Sequence, residues 1–274
     1  MKKFTSFLVL AGFSIIIACN KPVQPVQENK QESKNTGEHL HMALLWYQRS
    51  AEMTACSYQA YNVAKSALLN NIKNDTSKLP KAVILDIDET LLDNSPFLAE
   101  RSVRGEDFSP EAWAEWSEME KATALPGAVD FIKFALDNGV EVFYVSNRLT
   151  GELDWTLKNM ASLGFPEVNK ANFLLKSTTS DKKMRRDSIS EKYSVVLFVG
   201  DNLCDFSNEF DDRSKNFGKD AVENNIDLFG TKYIIIPNPT YGTWEKPLYD
   251  KSETPKPEQR KKMLISYEDL KNDK

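Results

Sequence analysis

Apolar residues at Leu40, Leu44, Tyr47, Ala51, Ala55, Tyr58 and Leu68 recur at helical spacings, which predicts a helix over 39–72. Pro80 ends the connection that follows, and 81–87 is an apolar, β-branched run that reads as a buried strand. Further apolar runs at 140–145, 172–175, 194–199 and 232–236 are predicted strands. Between them lie predicted helices at 126–137, stopped by Asn138-Gly139, at 150–163, ended by Gly164, and at 182–192. Strands alternating with helices predict an α/β fold with a mostly parallel sheet covered on both faces. After Pro239 the chain is polar and irregular, apart from one short amphipathic piece at 263–270. The alternation is interrupted before Leu125 by a segment carrying Phe97, Phe108, Trp113 and Trp116 among charged residues. An insertion at the carboxyl end of a parallel strand overlies the place where such sheets bind ligands, so it is predicted to form a cap over a pocket. Packing of the insert against the body is the simplest reading of these aromatics, and the preferred one for Trp116.

At the start of the chain Lys2 and Lys3 precede an apolar run over 4–18, which ends at Ala18-Cys19. Its 15 residues are short for a bilayer span and fit a signal peptide. Ala18-Cys19 looks like a lipobox, so cleavage would leave Cys19 as a lipidated terminus anchored by several acyl chains; an ordinary secretory signal with Cys19 incidental is the alternative. Asn20, in place of an Asp, resembles lipoproteins sorted to an outer membrane. Residues 20–37 are rich in Gln, Glu, Asn, Lys and Pro and read as a disordered tether. The expected organisation is a signal at 1–18, a tether at 19–37 and one domain at 38–274 with a cap insert near 96–125. The expected location is the cell surface or periplasm, on a lipid anchor, at the outer membrane.

The formal net charge is -5, and loss of Lys2 and Lys3 with the signal leaves 33 basic against 40 acidic residues, or -7. Such a surface argues against a nucleic-acid binder but not against a small phosphorylated substrate. Roughly 235 residues remain for folded structure, enough for one large domain. Cys56 and Cys204 are expected to be buried thiols, with a disulfide between them left open. His39 and His41, the only histidines, stand at the tether's edge, so neither a histidine metal site nor a phosphohistidine mechanism is attractive.

The chemistry concentrates where the first strand ends. Asp86 and Asp88 are two apart, and side chains at that spacing on an extended segment leave on one face. Two like charges converging there need a cation or a shared proton, and a hard divalent ion such as Mg2+ is the natural candidate. Phosphoryl transfer suits this pair, with Asp86 attacking phosphorus and Asp88 handling the leaving group's proton. Taken alone, the pair reads more readily as a strand-ending turn with Asp88 solvated. Ser146 alone is a turn former, and Lys182 with Lys183 alone is a solvated helix face. Their order along one chain, with Gly200 to Phe206 closing the third strand, is harder to explain piecemeal.

The segments ILDIDETLLDNS (84–95), VSNR (145–148), SDKKMRR (180–186), VGDNLCDF (199–206) and NPTYGTWE (238–245) carry a resemblance to the haloacid dehalogenase superfamily of aspartate-nucleophile phosphohydrolases. The chain is similar in particular to the class C acid phosphatases of bacterial surfaces, the lipoprotein e family. LLWYQRSAE (44–52) and LPGAVDFIKFAL (125–136) extend the likeness over nearly all of the chain beyond the tether. The resemblance implies a HAD-like Rossmannoid fold and a phosphoaspartyl intermediate on Asp86. Asp88 would be the general acid and base, meeting the metal through its backbone carbonyl. Ser146 would donate to the phosphoryl group, Asn147 beside it would touch substrate, and Lys182, preferred over Lys183, would neutralise charge on the phosphorylated aspartate. Asp201 would ligate Mg2+, and Asp205 would hold a metal-bound water or Lys182. Phe108 and Tyr241 match positions that stack a nucleobase, with Trp113 a weaker third. The expected activity is metal-dependent hydrolysis of phosphate monoesters, nucleoside 5'-monophosphates and nicotinamide mononucleotide foremost. The alternatives are a phosphotransferase on the same fold and a non-catalytic ligand-binding surface lipoprotein. Expected partners are a nucleotide substrate and, through the lipid, a membrane; a homodimer is left open.

Overall fold

The computed structural model describes residues 37–167 and 169–272. The expected signal segment, Cys19 and the tether up to 36 lie outside the described residues. In chain order the elements are α1 (His41–Arg49), α2 (Ala51–Asn74), β1 (Lys81–Leu85), β2 (Leu92–Asp93), α3 (Ser95–Arg104), α4 (Pro110–Glu118), β3 (Thr123–Ala124), α5 (Ala128–Asp137) and β4 (Glu141–Leu149). There follow α6 (Leu153–Ser162), β5 (Phe173–Lys176), α7 (Lys183–Ser190), β6 (Ser194–Gly200), α8 (Lys219–Asn224), β7 (Tyr233–Ile235), α9 (Lys256–Lys262) and α10 (Tyr267–Asn272).

Five strands form one parallel sheet in the order β5-β4-β1-β6-β7, which puts β1 at its centre. Alternation along β1 sends Val83 and Leu85 to one face and Ala82 and Ile84 to the other. The first face is covered by Tyr61, Ala64 and Leu68 of α2, Phe131 and Ile132 of α5, and Met160 of α6. Ile189 of α7 covers the second, with Phe206, Phe210 and Tyr233. Burial on both faces explains why 81–87 reads as a continuous apolar run rather than an alternating one.

The predicted helix over 39–72 is two helices. Its apolar period runs on through Ser50, but that residue is extended (φ -80°, ψ 140°) and its hydroxyl accepts the Met53 N–H at 3.0 Å, capping α2. β4 extends beyond the predicted 140–145 to include Ser146, Asn147 and Arg148. After β1 the chain forms β2, α3 and α4, then returns through β3, which pairs antiparallel to β2. The insertion, called the cap below, is thus a pair of helices closed at its base by a short ribbon. Cys56 and Cys204 are unpaired and each is half-buried, less enclosed than expected, because Cys204 lines a cavity. Among the described residues no helix is long and apolar enough to cross a membrane.

Candidate active site

Asp86 follows the last residue of β1, and its N–H donates to Val199 O at 3.0 Å, so the turn begins while the chain is still tied to β6. Its carboxylate is only 8% exposed. At the end of β6 the chain passes Gly200 to Asp201, then a single turn at Leu203–Asp205 returns the Asp205 side chain against Gly200. A Cβ at Gly200 would run into that carboxylate, so this position requires glycine. Oxygens of Asp86, Asp201 and Asp205 lie within 4.8 Å of one another. Lys182, immediately before α7, donates to Asp86 and to Asp205 at 2.6 Å each. Lys183 points outward and pairs with Asp187.

Of the three clustered carboxylates Asp86 and Asp205 share the Lys182 ammonium while Asp201 accepts from Asn238 Nδ2 at 2.8 Å, and their proton affinities reflect the crowding. Burial pushes Asp86 up to about 7, against the pull of Lys182 and with help from Asp205 and Asp88. Burial, then Asp205 and Asp86, holds Asp201 well above the usual carboxylate range. For Lys182 burial works against the charge, yet Asp205 and Asp86 outweigh it and the amine is raised. A buried, oxygen-only donor set with excess negative charge fits a hard divalent cation, which Asp86, Asp201 and Asp205 would hold.

The Asp88 carboxylate is turned elsewhere. Its Oδ1 accepts from Asn94 Nδ2 at 2.9 Å and from Arg148 Nε and Nη2 at 2.9 and 2.8 Å, while Ser146 Oγ donates to Oδ2 at 3.3 Å. Of the four acidic positions expected at the metal, Asp88 is therefore the one whose carboxylate stands outside the cluster. Ser146 is fully buried beneath this network, and Asn147 Oδ1 accepts from Arg185 Nη2 at 2.7 Å. Arg185 Nη1 also donates to Ser146 O at 2.5 Å, fastening the end of β4 to α7.

A cavity of about 440 Å³ opens over these groups, lined by Asp86, Asp88, Asn147, Lys182, Asp201 and Asp205 with Tyr241. Tyr241 also lines a second cavity of about 570 Å³, whose walls include Phe108, Tyr249 and Arg101. Phe108 is 63% exposed there and meets Phe97 edge to face. Trp113 lines neither cavity; it packs edge-on against Phe97 at 5.2 Å and lies under the Arg148 guanidinium at 5.5 Å. Trp116 does pack the insert to the body, its ring lying against the core of the first sheet face, and it donates its indole N–H to Asn94 Oδ1 at 2.9 Å.

Glu89 went unremarked in the sequence. It is fully buried in a left-handed conformation (φ 54°), accepts from Asn94 N at 2.8 Å and from the Tyr241 hydroxyl, and is pushed up to about 8 by burial and by Asp88. A second acid directly after Asp88 and just ahead of the apolar Leu91-Leu92 pair is the signal that could have found it.

Residues 15–244 match the HAD superfamily, subfamily IIIB (acid phosphatase). The class C acid phosphatase of Bacillus anthracis superposes with a TM-score of 0.78 at 39% identity, covering 85% of this chain and 99% of that one. Its tungstate-bound form gives 0.79 at 38% identity with the same coverage. Vegetative storage protein 1 of Arabidopsis thaliana is 28% identical over 156 residues, 54% of each chain. Acid phosphatase 1 of Solanum lycopersicum is 28% identical over 160 residues, 56% of this chain and 60% of its own. The chain thus spans little more than half the length of these plant relatives, and nearly all of the bacterial structures. With the match running from before the described domain through Tyr241, and with this fold, the chain belongs to subfamily IIIB, the acid phosphatases, of the HAD superfamily.

Proposed function

We propose that this chain is a Mg2+-dependent phosphomonoesterase acting on nucleoside 5'-monophosphates and nicotinamide mononucleotide through a phosphoaspartyl intermediate. One observation carries the reading: the Asp86, Asp201, Asp205 and Lys182 cluster lies in a cavity whose Tyr241 wall is shared with the cavity that bears Phe108. In this reading the phosphate sits over the carboxylates and the attached base reaches past Tyr241 into the cavity that Phe108 lines. The Bacillus anthracis relative binds tungstate, a tetrahedral oxyanion, which supports a phosphate-sized site here.

Asp86 attacks phosphorus, forming an Oδ–P bond as the bond to the alcohol oxygen breaks. Asp88 gives its proton to the departing alkoxide and later takes one from the water that cleaves the aspartyl phosphate, releasing inorganic phosphate and restoring Asp86. Lys182 offsets charge building on the phosphorylated aspartate, and Asp205 holds that lysine in place. Asn147 contacts the substrate from the cavity wall, whereas Ser146, expected to donate to the phosphoryl group, is fully buried and directs its hydroxyl to Asp88 instead. When bound, the divalent cation supplies charge neutralisation between the nucleophile and the phosphoryl group.

The N-terminal segment is proposed as a lipoprotein signal with Cys19 as the acylated residue, anchoring the domain at an outer membrane; Cys19→Ser should move the protein from the membrane to the soluble fraction. For the activity, phosphate release from adenosine 5'-monophosphate and nicotinamide mononucleotide is measured with Mg2+, with EDTA and with Asp86→Asn. Turnover that needs metal and vanishes in the variant supports the reading. A folded, metal-loaded protein inert toward both nucleotides and an aryl phosphate overturns it.

A further inference from the structure

Arg148 is 3% exposed, and its guanidinium is spent entirely inside the protein. Nε and Nη2 grip Asp88 Oδ1, Nη2 also reaches Asn94 Oδ1 at 3.3 Å, and Nη1 donates to Thr156 Oγ1 at 3.0 Å and Ser117 Oγ at 3.3 Å. Asn94 adds a third N–H to Asp88 Oδ1, and its own amide is oriented by the Trp116 indole. Three donors saturate one carboxylate oxygen. The other, Oδ2, receives only the long Ser146 contact, and Asp88 lines the reaction cavity.

Resting on the phosphatase reading above, we propose that Arg148 is a positioning residue that locks Asp88 Oδ1 and leaves Oδ2 as the oxygen that exchanges the proton with the leaving group. The support for Arg148 comes from both sides of the cap boundary. Thr156 belongs to α6 of the body, whereas Ser117, the Trp113 ring and, through Asn94, Trp116 all belong to α4 of the cap. The aromatic cluster that continues to Phe108 is therefore in physical contact with the group that aims the acid. Seating the cap correctly and aiming the proton donor are one structural event.

The proton matters only when the leaving group is basic. A nucleoside alkoxide must be protonated as it departs, whereas 4-nitrophenolate leaves unaided, so misplacing Asp88 should penalise the two esters unequally. The experiment measures kcat/KM of the metal-loaded full chain on adenosine 5'-monophosphate, phenyl phosphate and 4-nitrophenyl phosphate. Arg148→Gln should lose about 100-fold on the nucleotide and less than about tenfold on the nitrophenyl ester, the scale on which general acid catalysis operates. Thr156→Val removes one acceptor from the buried guanidinium without touching the cavity, and should tilt the same ratio by a smaller factor in a protein that still folds, at a melting temperature lowered by the lost buried hydrogen bonds. An equal loss on all three esters in folded Arg148→Gln, or no loss, overturns the assignment. Should Arg148→Gln fail to fold, Thr156→Val decides, and an unchanged ratio there overturns it. A folded, metal-loaded wild-type enzyme inert toward all three esters would overturn the phosphatase reading itself, which active wild type with uniform losses would leave standing.

Discussion

The ammonium of Lys182 sits 2.6 Å from the carboxylate of Asp86, although 96 residues separate them in sequence. It is 7% exposed and is the cation that Asp86 and Asp205 share, whereas Lys183, its neighbour, is solvated on α7. Lys182→Met should lower kcat by about 100- to 1,000-fold, in the range seen when one preorganised charge-stabilising donor is removed. Lys183→Met removes an exposed i,i+4 pair, worth under about 0.5 kcal/mol, and should leave kcat and the melting temperature close to wild type. Steady-state kinetics on the two variants checks this; equal losses would deny Lys182 its special place.

Metal-free protein should be more stable at pH 5 than at pH 8. Asp86 is raised to about 7 and Glu89 to about 8, whereas both titrate near about 4 in the unfolded chain. Between those limits the folded state holds more protons than the unfolded one, so stability falls as pH rises through the window. The combined effect is on the order of a few kcal/mol. A divalent cation binds only the assembled carboxylates and should restore stability most at pH 8. Melting curves in EDTA and in Mg2+ at the two pH values test it; a metal-free protein that gains stability toward pH 8 contradicts the buried-carboxylate picture.

Asp201 and Lys182 came into view only through the family resemblance, since Lys182 taken alone reads as a solvated helix face and no local pattern turns it toward Asp86, 96 residues away. The Asp86 and Asp88 pair and the parallel sheet were legible from the residues themselves, because a strand's period announces the element and the face its side chains take. Arg148 was in view but not in role: after a strand, an arginine ordinarily reads as a solvated side chain, and its partners Asn94, Ser117 and Thr156 come from three separate segments with no shared period. Glu89 depends on Tyr241, 152 residues away. The break at Ser50 was hidden because apolar residues keep helical phase across it, and only the side-chain cap shows that one helix ends and another begins.

Phe108 is largely exposed and makes few packing contacts beyond Phe97 and Trp113, so Phe108→Ala should barely alter stability. If its ring stacks on a base, the loss is about 1 to 3 kcal/mol of binding. KM for adenosine 5'-monophosphate should then rise about 5- to 150-fold, while KM for glycerol phosphate, which has no ring to stack, should hardly move. Parallel increases for both substrates would remove Phe108 from base recognition.

Tyr241 carries two functions that substitution can separate. Its ring lines both cavities, and its hydroxyl donates to Glu89, whose carboxylate is fully buried. Tyr241→Phe keeps the ring and removes the donor, so nucleotide KM should change little while stability falls by about 1 to 3 kcal/mol, the cost of leaving a buried polar group short of a partner. The deficit should be larger at pH 8 than at pH 5, because at pH 5 Glu89 is protonated in the folded state and has less need of that donor. In a Glu89→Gln background the same substitution should cost less, since the charge it exposes is gone, and a double-mutant cycle on melting free energies measures the difference. Additive losses would mean that the Tyr241 hydroxyl stabilises independently of Glu89. Coupled losses would tie the turn after the nucleophile to the wall of the base cavity through one hydrogen bond.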